Sequence, residues 1–459
     1  MKSGSGICRW LVLLSLVFCS SCVSPLKRAE RHYKRGMGKI QSGDQTTALV
    51  ELSRAIQLNP KLEEAYLARG MARQALADFR GAMRDYDTAI ELNPRDEQAL
   101  YCRGTCKLGL REFKDSIADF STAIELEPAD ARAYNYRGLA RSILRDLDGA
   151  LADFNKVVEL TPQEATAYRN RAADEVLLKD YEKALADASK AIELDGNDAF
   201  SYRIRGQTEA ALKNFGNALV DFDKAIELAP QVADAYAGRG GVKMGSDDFE
   251  GASADLEKAI QLNPKSALAF SARGFLEEKR GDNSGALADF NHAVESNPQF
   301  AETYVSLGLL QYNLQDWRPA LENLRKALEL GCLVDGPRFY IWLIRSRTGE
   351  EEDASKELDA YVKSLQGEKS KEWPASVGRF LTGNLAESEF LNQATTTAKR
   401  PSAIRGQVSD SYFYAGMKRE LSGDKDGAAN LFQKCLDLGD DNNFGYLSAK
   451  VELRMLKNP

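Results

Sequence analysis

The sequence predicts an all-helical chain in which helix pairs stack into a solenoid, closed at its C-terminal end by further helices. Prolines at positions 60, 94, 128, 162, 230, 264 and 298 recur at intervals of 34 residues, with one double interval in which Gly196 takes the proline's place. Motifs such as AIELNP and AIELAP precede these prolines in a fixed register. The chain has 459 residues, which is too long for one compact core, so a repeat array or several domains is expected.

Nine regular units span residues 29–332, each beginning 31 residues before its proline. Position 8 is glycine in eight units and Ala172 in the fifth, and position 20 is alanine in eight units and Ser116 in the third. Positions 4 and 24 are mostly aromatic or large and apolar. At the helical period, positions 4 and 8 share one face of a first helix, and positions 20, 24 and 27 share one face of a second. The small residues let the two backbones approach closely.

Particular residue types mark where the predicted helices begin and end. Position 16 is usually aspartate, which accepts hydrogen bonds from the free N–H groups where a second helix begins. The proline at position 32 ends the unit. Since a single helix pair cannot bury its apolar face, neighbouring units must stack.

This pattern resembles the tetratricopeptide repeat (TPR), which shares the 34-residue length, the small residues at positions 8, 20 and 27, and the proline at position 32. The resemblance implies a TPR solenoid, a right-handed superhelix of antiparallel helix pairs. It also implies a scaffold that binds proteins or peptides.

Beyond the regular units, the helical pattern weakens and then returns. Residues 333–366 form a degenerate tenth repeat, residues 367–408 are predicted as short helices and a polar linker, and residues 409–457 as a final TPR-like unit with a capping helix. The stretches FYAG, LFQKCLDLG and YLSAKVEL in this last segment resemble bacterial TPR lipoproteins of the NlpI type. That resemblance implies an outer-membrane adaptor of cell-wall hydrolases or a periplasmic protease.

The first 21 residues have the features of a secretory signal of the lipoprotein type. Lys2 and Arg9 precede an apolar run of nine residues, which is too short to span a bilayer, where about 20 are needed. Ser20, Ser21 and Cys22 resemble the lipobox of bacterial lipoproteins, although Cys19 departs from it. Lipidation of Cys22 would anchor the exported protein in a membrane, and the NlpI-type resemblance implies the periplasmic side of the outer membrane. The alternative is an ordinary cleaved signal and a secreted or periplasmic soluble protein.

An arginine at position 7 recurs together with an acidic residue at position 23. Eight units carry both charges, and the ninth carries neither, having Leu307 and Asn323 instead. This covariation predicts an ion pair in each unit, while a ladder of anion-binding arginines is the alternative. The predicted pairs are Arg35–Glu51, Arg69–Asp85, Arg103–Asp119, Arg137–Asp153, Arg171–Asp187, Arg205–Asp221, Arg239–Asp255 and Arg273–Asp289.

Binding residues are expected at positions 2, 5, 9 and 12 of the first helices, which should line a concave surface. Aromatic residues and arginine are typical of contact hot spots, although each residue taken alone could simply pack or face solvent. The candidates are Tyr33, Tyr101, Arg169, Phe200, Arg203, Phe275, Leu309 and Tyr312. No unit combines lysine at position 5 with asparagine at position 9, so a clamp for C-terminal carboxylates is disfavoured.

Other classes of function find little support. The net charge of −7 argues against a nucleic-acid partner, and two histidines leave little for acid–base or metal chemistry. Cys102 and Cys106 are predicted to be packing residues. No phosphate loop, nucleophile elbow or zinc spacing is present, so neither a cofactor, a metal nor an enzyme is expected. A permanent structural subunit of an envelope complex is the alternative to an adaptor.

Overall fold

The computed structural model describes residues 24–332, 334–398, 401–439 and 443–457. The predicted signal segment and Cys22 lie outside these residues. Within them the chain forms 25 α-helices and one short 3-10 helix, without any strand. The all-helical fold predicted from the repeats is therefore confirmed.

The chain divides into two compact units, the first ending at Thr208 and the second beginning at Glu209. The first contains α1 (Pro25–Gln41), α2 (Gln45–Leu58), α3 (Glu63–Ala75), α4 (Phe79–Leu92), α5 (Glu97–Gly109), α6 (Phe113–Leu126), α7 (Ala131–Ile143), α8 (Leu147–Leu160), α9 (Ala165–Leu177) and α10 (Tyr181–Leu194). The division itself falls within α11 (Ala199–Ala211).

The second unit continues the same alternation and ends in a set of less regular helices. It contains α12 (Phe215–Leu228), α13 (Ala233–Gly245), α14 (Phe249–Leu262), α15 (Ala267–Arg280), α16 (Asn283–Ser296), α17 (Ala301–Asn313), α18 (Trp317–Glu329), α19 (Gly336–Arg347), α20 (Glu351–Ser364), the 3-10 turn Gly367–Lys371, α21 (Trp373–Leu381), α22 (Glu387–Thr396), α23 (Pro401–Leu421), α24 (Lys425–Asp437) and α25 (Phe444–Lys457). Within each unit, consecutive helices pack against one another.

The turn between the two helices of a repeat is built in the same way along the array. The aspartate at position 16 caps the second helix by accepting from a backbone N–H three residues on, as in Asp78 to Gly81 at 2.9 Å. Asp44, Asp146, Asp248 and Asp282 make the same bond. The residue before it adopts a left-handed backbone, with φ between 60° and 64° at the non-glycine positions Ala77, Arg111, Arg145, Lys179, Lys213, Asp247 and Gln315.

The core of each repeat depends on the pairing of position 8 with position 24. A Cβ atom added to Gly138 would lie 2.7 Å from Cε1 of Phe154, so the ring occupies the space that the glycine leaves open. The fifth repeat has two small residues at these positions instead. Ala172 stands at position 8 and Ala188 at position 24, and both are fully buried.

The C-terminal helices depart from the predicted organisation in one place. A polar linker was expected up to residue 408, but Pro401 begins a helix of 21 residues, α23, that runs without a break into the last repeat-like pair. Proline suits the first turn of a helix, because its missing N–H has no partner there in any case. The large core of this region joins α17 and α19 to α23, α24 and α25.

Candidate protein-interaction surface

The recurring arginines at position 7 make up to three kinds of contact, and Arg137 illustrates all three. Its Nε and Nη2 donate to the two carboxylate oxygens of Asp153 at 3.0 and 2.7 Å. Its Nη1 donates to the Ser121 hydroxyl of the preceding repeat at 3.0 Å. Its guanidinium carbon lies 5.5 Å from the ring centroid of Tyr134. The Arg137 side chain therefore links the two helices of its own repeat, hydrogen-bonds to the preceding repeat and packs over an aromatic ring.

The same fork to the aspartate at position 23 recurs along both units. It is present in the pairs Arg69–Asp85, Arg103–Asp119, Arg171–Asp187, Arg239–Asp255 and Arg273–Asp289. Ser53, Asp87, Asn155 and Asp223 of the preceding repeats accept the third bond from four of these arginines. Because these guanidinium groups are held inside the scaffold, the contacts favour a structural role over a ladder of ligand-binding arginines.

Two of the predicted pairs stand apart from this pattern. In the first repeat, Glu51 contacts His32 Nδ1 at 2.8 Å and accepts from Arg54 at 3.2 Å, while Arg35 is exposed. The predicted Arg35–Glu51 ion pair is therefore wrong as a direct contact, because His32 and Arg54 contact the carboxylate. The hydrogen bond with His32 and, more weakly, the charge of Arg35 lower the pKa of Glu51. Arg205 and Asp221 belong to different compact units, and their pairing stays a prediction.

A second cation, at position 11, was missed by the sequence analysis. In four repeats it lies 2.8 Å from the aspartate at position 23, in the pairs Arg73–Asp85, Lys107–Asp119, Arg141–Asp153 and Lys243–Asp255. The fifth repeat has an acid there instead. Burial, followed by the charge of Asp187, raises the pKa of Glu175 to about 7. Basic residues at position 11 recur together with the aspartate at position 23, and this regularity in the sequence indicates the second ion pair.

Three of the predicted binding residues meet in the first compact unit. Phe200 is 47% exposed. The guanidinium carbons of Arg169 and Arg203 lie 5.7 and 6.0 Å from its ring centroid. Arg169 is also held by Asp198, to which its Nη1 donates at 3.1 Å. We call Arg169, Phe200 and Arg203 the Phe200 cluster.

A second contact between arginine and an aromatic ring lies on the same helix positions two repeats earlier. The guanidinium of Arg132 stands 4.7 Å from the ring centroid of Tyr101, and it donates to both carboxylate oxygens of Asp130 at 2.9 Å. Tyr136 meets the Tyr101 ring edge-on at 5.8 Å. Tyr101 was predicted, whereas Arg132 at position 2 was not, although that position was one of the four considered.

Two further predicted binding residues, Tyr33 and Phe275, are less accessible to a partner than Phe200. Tyr33 is half-buried against the small apolar cluster of Ala55, Ile56 and Ala65. Phe275 is half-buried and meets Phe290 edge-on at 5.2 Å.

Leu309 and Tyr312 correct the prediction of a binding surface in the ninth repeat. They are only 5% and 1% exposed, so they cannot line an open surface. The Tyr312 hydroxyl donates to Glu452 of α25 at 2.9 Å, and Arg347 donates to both oxygens of the same carboxylate at 2.7 Å. The final helix of the chain therefore covers the face on which these two residues lie.

Paired carboxyl groups border the first helices of the second and third repeats, and the sequence analysis missed them. Burial and a hydrogen bond with Asp96 raise the pKa of Glu63 to about 7. Burial and a hydrogen bond with Asp130 do the same for Glu97, whose pKa is also about 7. Asp130 is the residue that holds Arg132 over Tyr101. The contact between Arg132 and Tyr101 is thus connected, through Asp130, to the Glu97 carboxyl, whose pKa is about 7.

Cys102 and Cys106 are buried in an apolar cluster, and burial raises the pKa of the Cys106 thiol to about 12. Across the described ranges, no group of three or more histidine, cysteine, aspartate or glutamate side chains could hold a metal ion. None of the described helices combines the length and apolar character that crossing a membrane requires.

Comparison with known proteins agrees with the repeat pattern. Two family models described as the tetratricopeptide repeat match this chain, one over residues 103–165 and the other over residues 63–96 and 233–266. The chain therefore contains tetratricopeptide repeats, which mediate protein–protein interaction. No curated protein matches the chain.

Several solved structures are similar to parts of this chain. A tetratricopeptide repeat protein from Parabacteroides merdae shares 20% identity over 52% of this chain and 94% of its own, with a TM-score of 0.45. PilF from Pseudomonas aeruginosa shares 17% identity over 46% of this chain and 97% of its own, with a TM-score of 0.42. MamA from Desulfovibrio magneticus shares 24% identity over 37% of this chain and 97% of its own, with a TM-score of 0.36.

Proposed function

We propose that this protein is an exported scaffold, anchored by a lipid on Cys22, that binds protein partners at the bacterial cell envelope. The Phe200 cluster carries the binding part of the proposal, because it exposes a large aromatic ring between two arginines. The lipobox-like residues before Cys22 support the anchor. The resemblance of the C-terminal segment to NlpI-type lipoproteins supports an outer-membrane location and partners among cell-wall hydrolases or a periplasmic protease.

The geometry of the cluster suits the binding of a protein segment. Aromatic residues and arginine dominate the energy of many protein interfaces, since they bury much area and form directed contacts. Arg169 is already fixed by Asp198 and the Phe200 ring, so a partner meets a partly ordered surface. An ordered surface loses less side-chain freedom on binding, which raises affinity.

Substitution of Phe200 tests the binding role. The variant Phe200→Ala removes the ring, and an exposed contact residue of this kind typically contributes about 2 kcal/mol or more to binding. Val50 in α2 offers a matched control, because it is 49% exposed and apolar but lies on a second helix. In capture experiments from envelope extracts, read by mass spectrometry, Phe200→Ala should lose partners that Val50→Ala retains. Equal capture by both variants would remove the cluster from the proposal.

The anchor and the adaptor role need separate measurements. Membrane fractionation of Cys22→Ser should move the protein into the soluble fraction, and unchanged membrane association would contradict the lipid anchor. On native gels of detergent-solubilised membranes, an adaptor should migrate largely apart from its partners. Migration wholly within one large complex would instead support a permanent structural subunit.

The proposal describes a non-catalytic protein. The repeat fold is typically a binding scaffold, and its candidate surface consists of aromatic and arginine contacts. Turnover of cell-wall fragments by the purified protein would contradict this part of the proposal.

A further inference from the structure

The first helix carries a basic face that the binding role does not use. Helix α1 contains six lysine and arginine residues and a single acid, Glu30, giving the helix a net charge of +5 in a chain whose net charge is −7. The six basic residues, all of them exposed, are Lys27, Arg28, Arg31, Lys34, Arg35 and Lys39.

The helical period gathers these side chains on one side. At 100° per residue, the six basic residues fall within an arc of about 140°. Ala29 and Gly36, which are buried against the repeat, project from the opposite side. The basic face is therefore turned away from the protein core, and it contains no acidic residue of its own helix.

Few neighbouring carboxylates neutralise this face. Lys34 pairs with Glu30 at 2.8 Å and Lys39 with Asp44 at 3.2 Å, both between exposed groups. Pairs of this kind are weak and exchange easily with other partners. Glu51, the acid predicted for Arg35, directly contacts His32 and Arg54 instead, and the charge of Arg35 adds only a weaker effect on its pKa. This leaves a compact group formed by Lys27, Arg28, Arg31 and Arg35, which we call the basic patch.

The position of the basic patch in the chain points to its partner. Three residue steps separate Cys22 from Pro25, where α1 begins, and an extended chain of that length spans at most about 10 Å. A lipid on Cys22 would therefore hold the start of α1 within about 10 Å of the bilayer surface, and α1 lying along that surface would bring the whole patch to the headgroups. An acidic protein would gain nothing from this position, whereas a lipid surface would.

We propose that the basic patch docks the first repeat onto a bilayer that contains anionic phospholipid. Arginine and lysine side chains bind headgroup phosphates. An acyl anchor combined with a polybasic surface binds a protein to a membrane more firmly than either feature does alone. The proposal deepens the lipid anchoring proposed above and adds a second, electrostatic contact to it. Docking of α1 also fixes which end of the repeat array stands at the membrane.

The test separates the electrostatic contact from the anchor by using the full chain with Cys22→Ser. Its binding is measured by co-sedimentation with vesicles of phosphatidylethanolamine and phosphatidylglycerol, and with vesicles of phosphatidylcholine alone. Binding to the neutral vesicles reports the apolar N-terminal segment. We expect stronger binding to the anionic vesicles, and loss of that difference in about 1 M salt, where the Debye length is about 3 Å.

Neutralising the basic patch should abolish the difference between the two vesicles. The variant Lys27→Gln/Arg28→Gln/Arg31→Gln/Arg35→Gln should bind anionic vesicles at least about a hundredfold more weakly, since each basic residue near an anionic surface contributes roughly fivefold. A control with the same net charge carries Arg80→Gln/Arg84→Gln/Arg95→Gln/Lys114→Gln, four exposed residues outside α1. Both variants should keep the far-ultraviolet circular dichroism of the parent, because all eight residues are exposed.

Three results would overturn the proposal. The Cys22→Ser chain could bind both kinds of vesicle equally, the control could lose as much binding as the patch variant, or the patch variant could bind anionic vesicles as strongly as its parent. The last result would leave the patch to another partner, such as an acidic protein. Failure of the anchor alone would appear differently, as equal binding of the wild-type and Cys22→Ser chains to neutral vesicles.

Discussion

Replacement of Arg137 by leucine offers the sharpest test of how the repeats hold together. The substitution removes two hydrogen bonds to Asp153, one to Ser121 and the contact with the Tyr134 ring. Asp153 is only 2% exposed, so its carboxylate is left largely without solvent. We expect a clear loss of stability in the fourth repeat.

The magnitude follows from what remains around the carboxylate. Removing one partner of a buried ion pair costs about 3–5 kcal/mol when the other charge is left alone. Here Arg141 still donates to Asp153 at 2.8 Å, which offsets part of the loss. We therefore expect about 2–3 kcal/mol for Arg137→Leu, below the range for an isolated buried charge.

A double-mutant cycle measures the pairing directly. Native-state hydrogen exchange suits the assay, because a repeat array opens locally and one global unfolding energy is not well defined for it. The amides of α7 and α8 should report the loss. Adding Asp153→Leu to Arg137→Leu should recover part of it, with a coupling energy of about 1–3 kcal/mol. The matched control is Arg84→Leu, an exposed arginine whose loss should change little.

Additive effects of the two substitutions would refute the reasoning. Equal losses of stability for Arg137→Leu and Arg84→Leu would refute it too, because the ion-paired arginine would then contribute no more than an exposed one.

Three further predictions concern the turns, the core and the pH dependence. Gly138→Ala should destabilise by about 1–3 kcal/mol, because the new Cβ lies 2.7 Å from the Phe154 ring. In hydrogen exchange, Phe154→Ala should then cost less stability in the Gly138→Ala background than in the parent. Ala77→Gly should stabilise by about 0.5–1 kcal/mol, because φ is 60° there, and a lowered thermal midpoint would contradict this. The pKa of Glu97 is raised from 4.5 to about 7, so its contribution to stability is complete below about pH 4.5 and is lost as the pH rises through about 7. Glu97→Gln should therefore flatten the fall in thermal midpoint between these pH values, and an unchanged slope would contradict the assignment.

Comparison of equivalent positions within the chain predicted much of the local structure. The arginine at position 7 and the aspartate at position 23 appear and disappear together, and the structure shows them joined by two hydrogen bonds. The third bond to the preceding repeat could not be inferred in this way. Its acceptor changes from Ser53 to Asp87 to Ser121 along the array, so no fixed residue type marks it.

The binding surface was harder to predict than the scaffold. Phe200 and Arg203 stand at positions 2 and 5 of one helix and therefore share a face, which the helical period indicates. Their meeting with Arg169 and Asp198 depends on how the fifth repeat packs on the sixth. The burial of Leu309 and Tyr312 was missed, because both lie in a core that includes distant helices. Glu452, which accepts from the Tyr312 hydroxyl, lies 140 positions further along the chain.

The sequence by itself determined the repeating helix pairs, their register and the local charge pairs. These features depend on contacts within one repeat or with its neighbour, and such contacts leave a periodic pattern in the sequence. The tertiary structure alone decided which of the candidate binding residues stay exposed. The chain's own α25 covers the ninth repeat, while Phe200 remains exposed, and contacts between distant segments follow no period from which they could be predicted.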